Sequence, residues 1–194
     1  MGGNLSPDTL LDAYTHGIFP WPVNESGPLL WWSPDPRGIL ELGQTRFSRR
    51  LMRTCRSSKF TVTIDADFPQ VIRQCAVVHG STWITQQMVS GYIRLHKAEI
   101  AHSVEVWHDT QLVGGVYGVA IRGLFAAESM FHTMTDASKV ALVFLVQHLQ
   151  NRSYQLLDIQ MVTTHTAQFG AVEIPRNEYL VRLNEALAHD CLFQ

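Results

Sequence analysis

Ser103-Val-Glu-Val-Trp107 and Gln111–Ala120 are two alternating runs separated by a short polar turn. A period of two puts one face of each run on a core, and so short a connection makes the runs pair with each other as an antiparallel hairpin. Gly114, Gly115 and Gly118 thin the second run, which invites a bulge or a close backbone approach. Gly123–His132 continues the meander as a third strand. Ala137–Gln150 is apolar nearly all round from Val140 to Val146, the pattern of a helix covered on every side. Leu156–Gln160 returns as a strand. The order over 102–160 is therefore β-β-β-α-β, which predicts an α+β fold with a mixed sheet and flanking helices.

Two of these strands, the third and the last, set an acid in a largely apolar stretch. Glu128 lies among Phe125, Met130 and Phe131, and an unpaired carboxylate buried there costs several kcal/mol. It must be paired, protonated or working. Asp158 and Gln160 are two residues apart, so on a regular strand both face the same way, and the polar groups of the two strands converge.

Toward the N-terminus, Ser6-Pro7 reads as a helix start and Gly17 as its stop, with Leu10, Leu11 and Tyr14 on one stripe. Ile18–Pro22 and Leu29–Arg37 are rich in Trp and Pro and read as extended loops whose tryptophans either cap the core or line a cleft. Gly38–Leu42 reads as a strand. Arg46–Lys59 holds six of the fifteen Lys and Arg residues and no acid. As a helix it turns Phe47, Leu51 and Cys55 inward. Arg46, Arg49, Arg50, Arg53, Arg56 and Lys59 then form a field of one sign, which a polyanion relieves. Phe60–Asp65 alternates as a strand. Asp67–Val78 and Trp83–His96 are amphipathic helices, the second capped by Thr85, and a last helix spans Asn177–His189.

A chain of 194 residues, 46% hydrophobic, can bury one sizeable core. Its net charge of −2 makes it no general nucleic-acid glue, so any such binding is local. Cys55, Cys75 and Cys191 are odd in number and widely spaced, which fits a reducing compartment. There is no secretory leader and no apolar run of membrane-spanning length, so a cytoplasmic location is expected. Met1–Ser6 matches a myristoylation pattern, but Gly-Gly ahead of a helix cap is the plainer reading, and Asn24–Ser26 and Asn151–Ser153 are sequons only in secreted chains. The nine histidines show no ligand spacing, so no metal is expected, and neither a phosphate loop nor an acetyl-CoA-type pyrophosphate loop is present.

Several strings in order along the chain, among them Gly17–Trp21, Trp31-Trp-Ser-Pro-Asp-Pro-Arg37, Gly80–Thr85, Glu128-Ser-Met-Phe131, Asp158 with Gln160, and Gly170–Arg176, resemble the leucyl/phenylalanyl-tRNA–protein transferase family. The resemblance implies a small N-terminal subdomain (1–36) and an acetyltransferase-like (GNAT) domain (37–194). The implied activity moves Leu, Phe or less often Met from aminoacyl-tRNA to proteins beginning with Arg or Lys, marking them for bacterial N-end-rule degradation. The implied partners are the tRNA 3′ acceptor end and those acceptor proteins, with no membrane and a monomeric enzyme. Members commonly carry some tens of residues ahead of the Gly-Gly that here follows Met1. At position 145 this chain has Leu where a pocket aromatic is expected.

An aminoacyl ester is already activated, and an α-amino group with a pKa of about 7.7–8.0 is partly neutral in the cytosol. Such an enzyme needs alignment and oxyanion stabilisation but no cofactor. In the family reading Asp158 orients Gln160, the pair assists loss of the amine proton, and Glu128 holds the terminal adenosine or the acceptor's cationic end. The amino-acid pocket implied is Phe125, Met130, Leu142, Leu145 and Val116. Strand parity puts Phe125 and Met130 on opposite faces unless the strand is bulged. Tyr14, Trp21, Trp83 and Tyr92 match positions that stack on adenine, and Arg46 to Lys59 take tRNA phosphates. Two other readings stay open: a GNAT-like transferase building peptidoglycan cross-bridges from aminoacyl-tRNA, and a non-catalytic module that binds basic N-termini or RNA ends.

Overall fold

A computed structural model describes residues 4–22, 27–78 and 83–194. The Met1–Gly3 start, the Asn24–Ser26 sequon and Gly80–Thr82 of the matched strings lie outside the described residues.

Helix α1 (Pro7–Thr15) begins where Ser6 caps it, its hydroxyl accepting the Thr9 N–H, and ends at Gly17, whose φ of 72° suits glycine. Strands β1 (Phe19–Pro22) and β2 (Leu29–Trp32) follow and pair antiparallel as a small sheet. This corrects the expectation of loops. The prolines are tolerated because a two-stranded ribbon has only edge strands, on which a missing donor can face away from the partner.

Strand β3 (Arg37–Leu40) enters the main sheet. Helix α2 (Arg49–Arg56), strand β4 (Thr61–Ile64) and helices α3 (Phe68–Val78) and α4 (Gln86–Lys97) lead to the hairpin of β5 (Ala101–His108) and β6 (Gln111–Ile121). Then come β7 (Leu124–His132), α5 (Ala137–Asn151), β8 (Leu156–Gln160), the single turn α6 (Thr164–Ala167), β9 (Ala171–Ile174) and α7 (Arg176–Ala188). Among the described residues the main sheet has seven strands in the order β4-β5-β6-β7-β8-β3-β9, antiparallel except for β7 against β8. Helix α2 is shorter than its basic run because Ser48 caps it, leaving Arg46 and Phe47 ahead of the first turn.

The sheet is buried on both faces. On one face α5 packs with α2, and Val140, Leu142, Leu145 and Val146 are at most 1% exposed. On the other face α1, α3 and α4 bury Tyr14, Phe68, Ile72 and Tyr92. Helix α7 closes a third cluster over Ile39, Leu124 and Leu156. Removing a buried Leu side chain from such a core costs about 2–5 kcal/mol. The close seat of α5 depends on Gly114, where an added Cβ would come within 2.6 Å of Ala137 Cβ.

Candidate active site

The parallel pairing of β7 with β8 covers only Leu124–Ala126 against Leu156–Asp158. Beyond it the two strands part, and each is bulged. On β7 the register jumps from Ser129 opposite Tyr117 to Ala127 opposite Gly118, leaving Glu128 as the extra residue. On β8 it jumps from Gln160 opposite Gly38 to Asp158 opposite Ile39, leaving Ile159 as the extra residue. Both partner residues at these shifts are glycines. At Gly38 a Cβ would lie 2.7 Å from the Met161 carbonyl carbon, so the chain after β8 can turn only over a glycine. A cleft of about 350 Å³ opens in the gap, walled by Glu128, Met130 and Val116 on one side and by Ile159, Gln160 and Met161 on the other. Trp83, His132, Ser138 and His165 stand around them. That size lies in the range of small-ligand sites.

Asp158 is wholly buried beneath this cleft. Arg37 grips it with two bonds, Nε to Oδ1 at 2.9 Å and Nη2 to Oδ2 at 2.6 Å. Tyr179 Oη donates to Oδ2 at 2.9 Å and the Gln160 N–H to Oδ1 at 2.9 Å, so each carboxylate oxygen already accepts two bonds. Arg37 is 1% exposed, lies between the rings of Phe19 and Tyr179 at 4.9 and 4.4 Å, and donates to the Gly17 carbonyl at 3.0 Å. Burial opposes its charge, but the Asp158 carboxylate and its hydrogen bonds outweigh that and leave the guanidinium pKa above its ordinary value. This pair ties β3, β8, α7 and the end of α1 into one unit.

Gln160 ends β8 with φ at 61°, a left-handed residue that breaks the strand's alternation. The expectation that Asp158 and Gln160 share a face is therefore corrected. Asp158 turns to Arg37, and the Gln160 amide reaches across the cleft floor, Nε2 donating to Glu128 Oε1 at 3.1 Å. The predicted convergence of the two polar strands does occur, with the main-chain N–H of Gln160 as the link to Asp158.

Glu128 has one edge open to the cleft and the rest enclosed. Tyr14 Oη donates to Oε1 at 2.6 Å and Tyr92 Oη bonds Oε2 at 3.0 Å. Burial pushes its carboxyl up to about 7, and hydroxyls acting only as donors to it would pull it down; Asp158 adds to the rise and Arg37 offsets it. A carboxyl in this range exchanges a proton near neutral pH, whereas Asp158 has no free acceptor site to offer a substrate.

The other expected residues divide. Val116 and Met130 wall the cleft, while Phe125, Leu142 and Leu145 lie in the core beneath it, each at most 1% exposed. The bulge at Glu128 resolves the parity conflict, since Phe125 and Met130 pack into the same core cluster. Trp21 and Trp83 stack on each other, ring centroids 4.8 Å apart and nearly parallel, and Trp83 faces the cleft. Tyr14 and Tyr92 are 2% and 0% exposed, so neither ring has an open face for adenine. Their stacking role is corrected to one of holding Glu128. Arg46, Arg49, Arg50, Arg53, Arg56 and Lys59 are all exposed, with Arg50 3.2 Å from Asp136 and Lys59 over the Phe60 ring. Helix α2 abuts α5, and Arg50 reaches Asp136, two residues before Ser138 of the cleft lining.

Arg37 and Tyr179 escaped the sequence reading. Part of the signal for Arg37 was available, because a cation opening the apolar strand Arg-Gly-Ile-Leu needs a buried acid, and Asp158 was one of the acids in the other apolar strands. Tyr179 left no such trace.

A model of the leucyl/phenylalanyl-tRNA protein transferase family matches residues 39–184, and a model of that family's N-terminal domain matches residues 3–35. A leucyl/phenylalanyl-tRNA–protein transferase from Solidesulfovibrio magneticus is 55% identical over 190 residues, spanning 96% of this chain and 76% of that protein. One from Lawsonia intracellularis is 50% identical over 190 residues, spanning 96% and 83%. Among solved structures, a GCN5-related N-acetyltransferase-like protein from Streptococcus suis is similar at a TM-score of 0.45 and 13% identity, covering 86% of this chain and 63% of that one. No residue role follows from that last likeness.

Proposed function

Because the chain belongs to the leucyl/phenylalanyl-tRNA protein transferase family, we propose that it transfers Leu or Phe, and less often Met, from aminoacyl-tRNA to the N-terminal Arg or Lys of a protein. The reaction forms a peptide bond and marks the acceptor for N-end-rule degradation. The observation that carries this reading is the meeting of Glu128 and Gln160 on the floor of a cleft with apolar side chains in its walls. The apolar walls at Val116, Met130 and Ile159 suit a Leu or Phe side chain, which offers no polar handle.

The donor ester needs no activation, so the residues have two tasks. Glu128, with a carboxyl near 7 and an edge in the cleft, accepts the proton of the acceptor's α-ammonium, whose own pKa of about 7.7–8.0 makes that transfer nearly isoenergetic. The Gln160 amide positions the reacting groups, and Asp158, through Arg37 and the Gln160 N–H, holds Gln160 in its left-handed turn. Asp158 is thus a positioning residue. Trp83 offers a stacking surface to the terminal adenine, and the cations from Arg46 to Lys59 take tRNA phosphates. In this reading residues 1–36 form a small subdomain beside the transferase domain of 37–194, and the enzyme works as a cytoplasmic monomer without a cofactor.

Radiolabelled Leu-tRNA or Phe-tRNA offered with two peptides, one beginning with Arg and one with Ala, tests the reading. Label moves to the Arg peptide alone. If tRNA binds and neither peptide is labelled, the transferase reading fails in favour of a binding module or another acceptor class.

A further inference from the structure

Three oxygen contacts close a triangle behind Glu128. Tyr14 Oη lies 2.6 Å from Glu128 Oε1, Tyr92 Oη lies 3.0 Å from Glu128 Oε2, and the two hydroxyls lie 2.5 Å from each other. Each contact needs a proton between its oxygens to be a hydrogen bond. Burial, then the charge of Glu128, holds both phenols well above their ordinary range, so each brings one proton and keeps it. A carboxylate brings none, and two protons cannot serve three contacts. If both hydroxyls point at the carboxylate, their oxygens face each other at 2.5 Å with lone pairs alone. If one turns to the other, a carboxylate oxygen loses its donor.

A carboxylic acid supplies the third proton, and Gln160 selects where it sits. Oε1 accepts from both Tyr14 and the Gln160 amide, so Oε1 is the carbonyl oxygen and Oε2 carries the proton. The ring then runs one way: Oε2–H to Tyr92, Tyr92 to Tyr14, and Tyr14 back to Oε1.

We propose that Tyr14 and Tyr92 are positioning residues for proton transfer, closing with Glu128 a ring that is complete only when Glu128 is protonated and so raising its affinity for the proton of the incoming α-ammonium. This rests on the reading of Glu128 as the proton acceptor. The carboxylate takes one proton from the ammonium, and the ring closes. The freed nitrogen lone pair forms the new C–N bond, and the C–O bond to the tRNA 3′-oxygen breaks. That oxygen takes the second N–H proton, and the first passes from Glu128 to water on turnover.

Among the described residues the charged and titratable groups facing this carboxyl are few. Helix α1 brings Tyr14, α4 brings Tyr92 and β6 brings Tyr117, whose buried hydroxyl has no partner among the described residues. From β8 and β3 come Asp158 and Arg37, a neutralised pair with opposite effects on Glu128. None supplies the missing proton.

The test is an infrared titration of the free protein, following the C=O stretch of a protonated carboxylic acid and subtracting the same titration of Glu128→Gln. The wild-type protein shows one such band on the acid side of neutrality that the variant lacks. In Tyr92→Phe, and separately in Tyr14→Phe, the ring is opened and the remaining hydroxyl serves the carboxylate unopposed. The band's midpoint then falls by about one pH unit, a tenfold change in ionisation. The acid limb of the pH profile for transfer falls with it. If the hydroxyls only stabilise the carboxylate, each Tyr→Phe change raises the midpoint. A rise, an unmoved midpoint or the absence of a Glu128-dependent band overturns the ring. The infrared titration needs no tRNA, so a ring that behaves as stated in a protein that transfers nothing refutes the function and leaves the ring standing. An active enzyme without the band does the reverse.

Discussion

Asp158 and Glu128 both touch Gln160, one through its main-chain N–H and the other through its side-chain amide. Asp158 has a guanidinium on both oxygens, a phenol and a peptide N–H, and no exposure at all. Among the described residues Glu128 has no cation bonded to it; it has two phenols that also contact each other, and one edge in the cleft. The same chemical group is saturated in one place and poised in the other. Number of donors and access to the cleft, rather than residue type, separate a buried strut from a group that can exchange a proton.

The largest effect that tests this contrast is on the strut. Arg37→Ala leaves Asp158 charged, buried and unpaired, which costs about 3–5 kcal/mol in urea unfolding. Replacing both members of the pair by apolar residues of similar volume recovers most of that. A loss from Arg37→Ala no larger than that of a surface pair, about 1 kcal/mol or less, would break the comparison. Glu128→Gln comes next. It keeps the fold and lowers single-turnover transfer roughly a hundred- to ten-thousandfold, the usual range for removing a general base. Activity within a few-fold of wild type returns Glu128 to a structural role.

A smaller effect sharpens the comparison through pH. The folded carboxyl of Glu128 titrates at about 7, against an ordinary value of 4.5, so the folded state binds this proton more tightly than the unfolded state does. Its contribution to stability is fully present below about 4.5 and is lost as pH rises through about 7. The total is no more than roughly 3 kcal/mol, and less where cleft water screens the charge. Chemical denaturation across that range has a shallower pH dependence in Glu128→Gln than in wild type, and equal slopes would show that Glu128 titrates normally. The smallest structural effect belongs to the exposed charges of α2. Replacing Arg49, Arg50 and Arg53 by Gln leaves stability within about 1 kcal/mol, since the Arg50–Asp136 pair is a surface one. The salt dependence of tRNA binding flattens by about 0.7–0.9 per phosphate contact removed. An unchanged slope would make that field a solvated face and no more.

Much of this was legible in the order of residues. Period-two runs specified the hairpin, the all-round apolar stretch specified α5, and Ser6 and Thr85 marked helix starts that the structure uses as caps. These are local signals, because a strand's alternation or a cap's hydrogen bond is decided within a few residues. Glu128, Asp158 and Gln160 stood out for the same reason, as polar groups in apolar strands. Where those groups point was settled by contacts across the chain. The two bulges depend on which strand lies opposite, so parity counted along one strand misplaced Gln160 and left Phe125 and Met130 in conflict. Arg37 meets Asp158 across 121 residues and Tyr14 meets Glu128 across 114. Nothing within either segment encodes such a meeting. The composition of each strand could announce that a buried charge needed an answer. Only the pairing of β3 with β8, and the reach of Tyr14 from α1 and Tyr92 from α4 to β7, supplied a cation to one carboxylate and two phenols to the other, because solvation and hydrogen bonding act through space and not along the sequence.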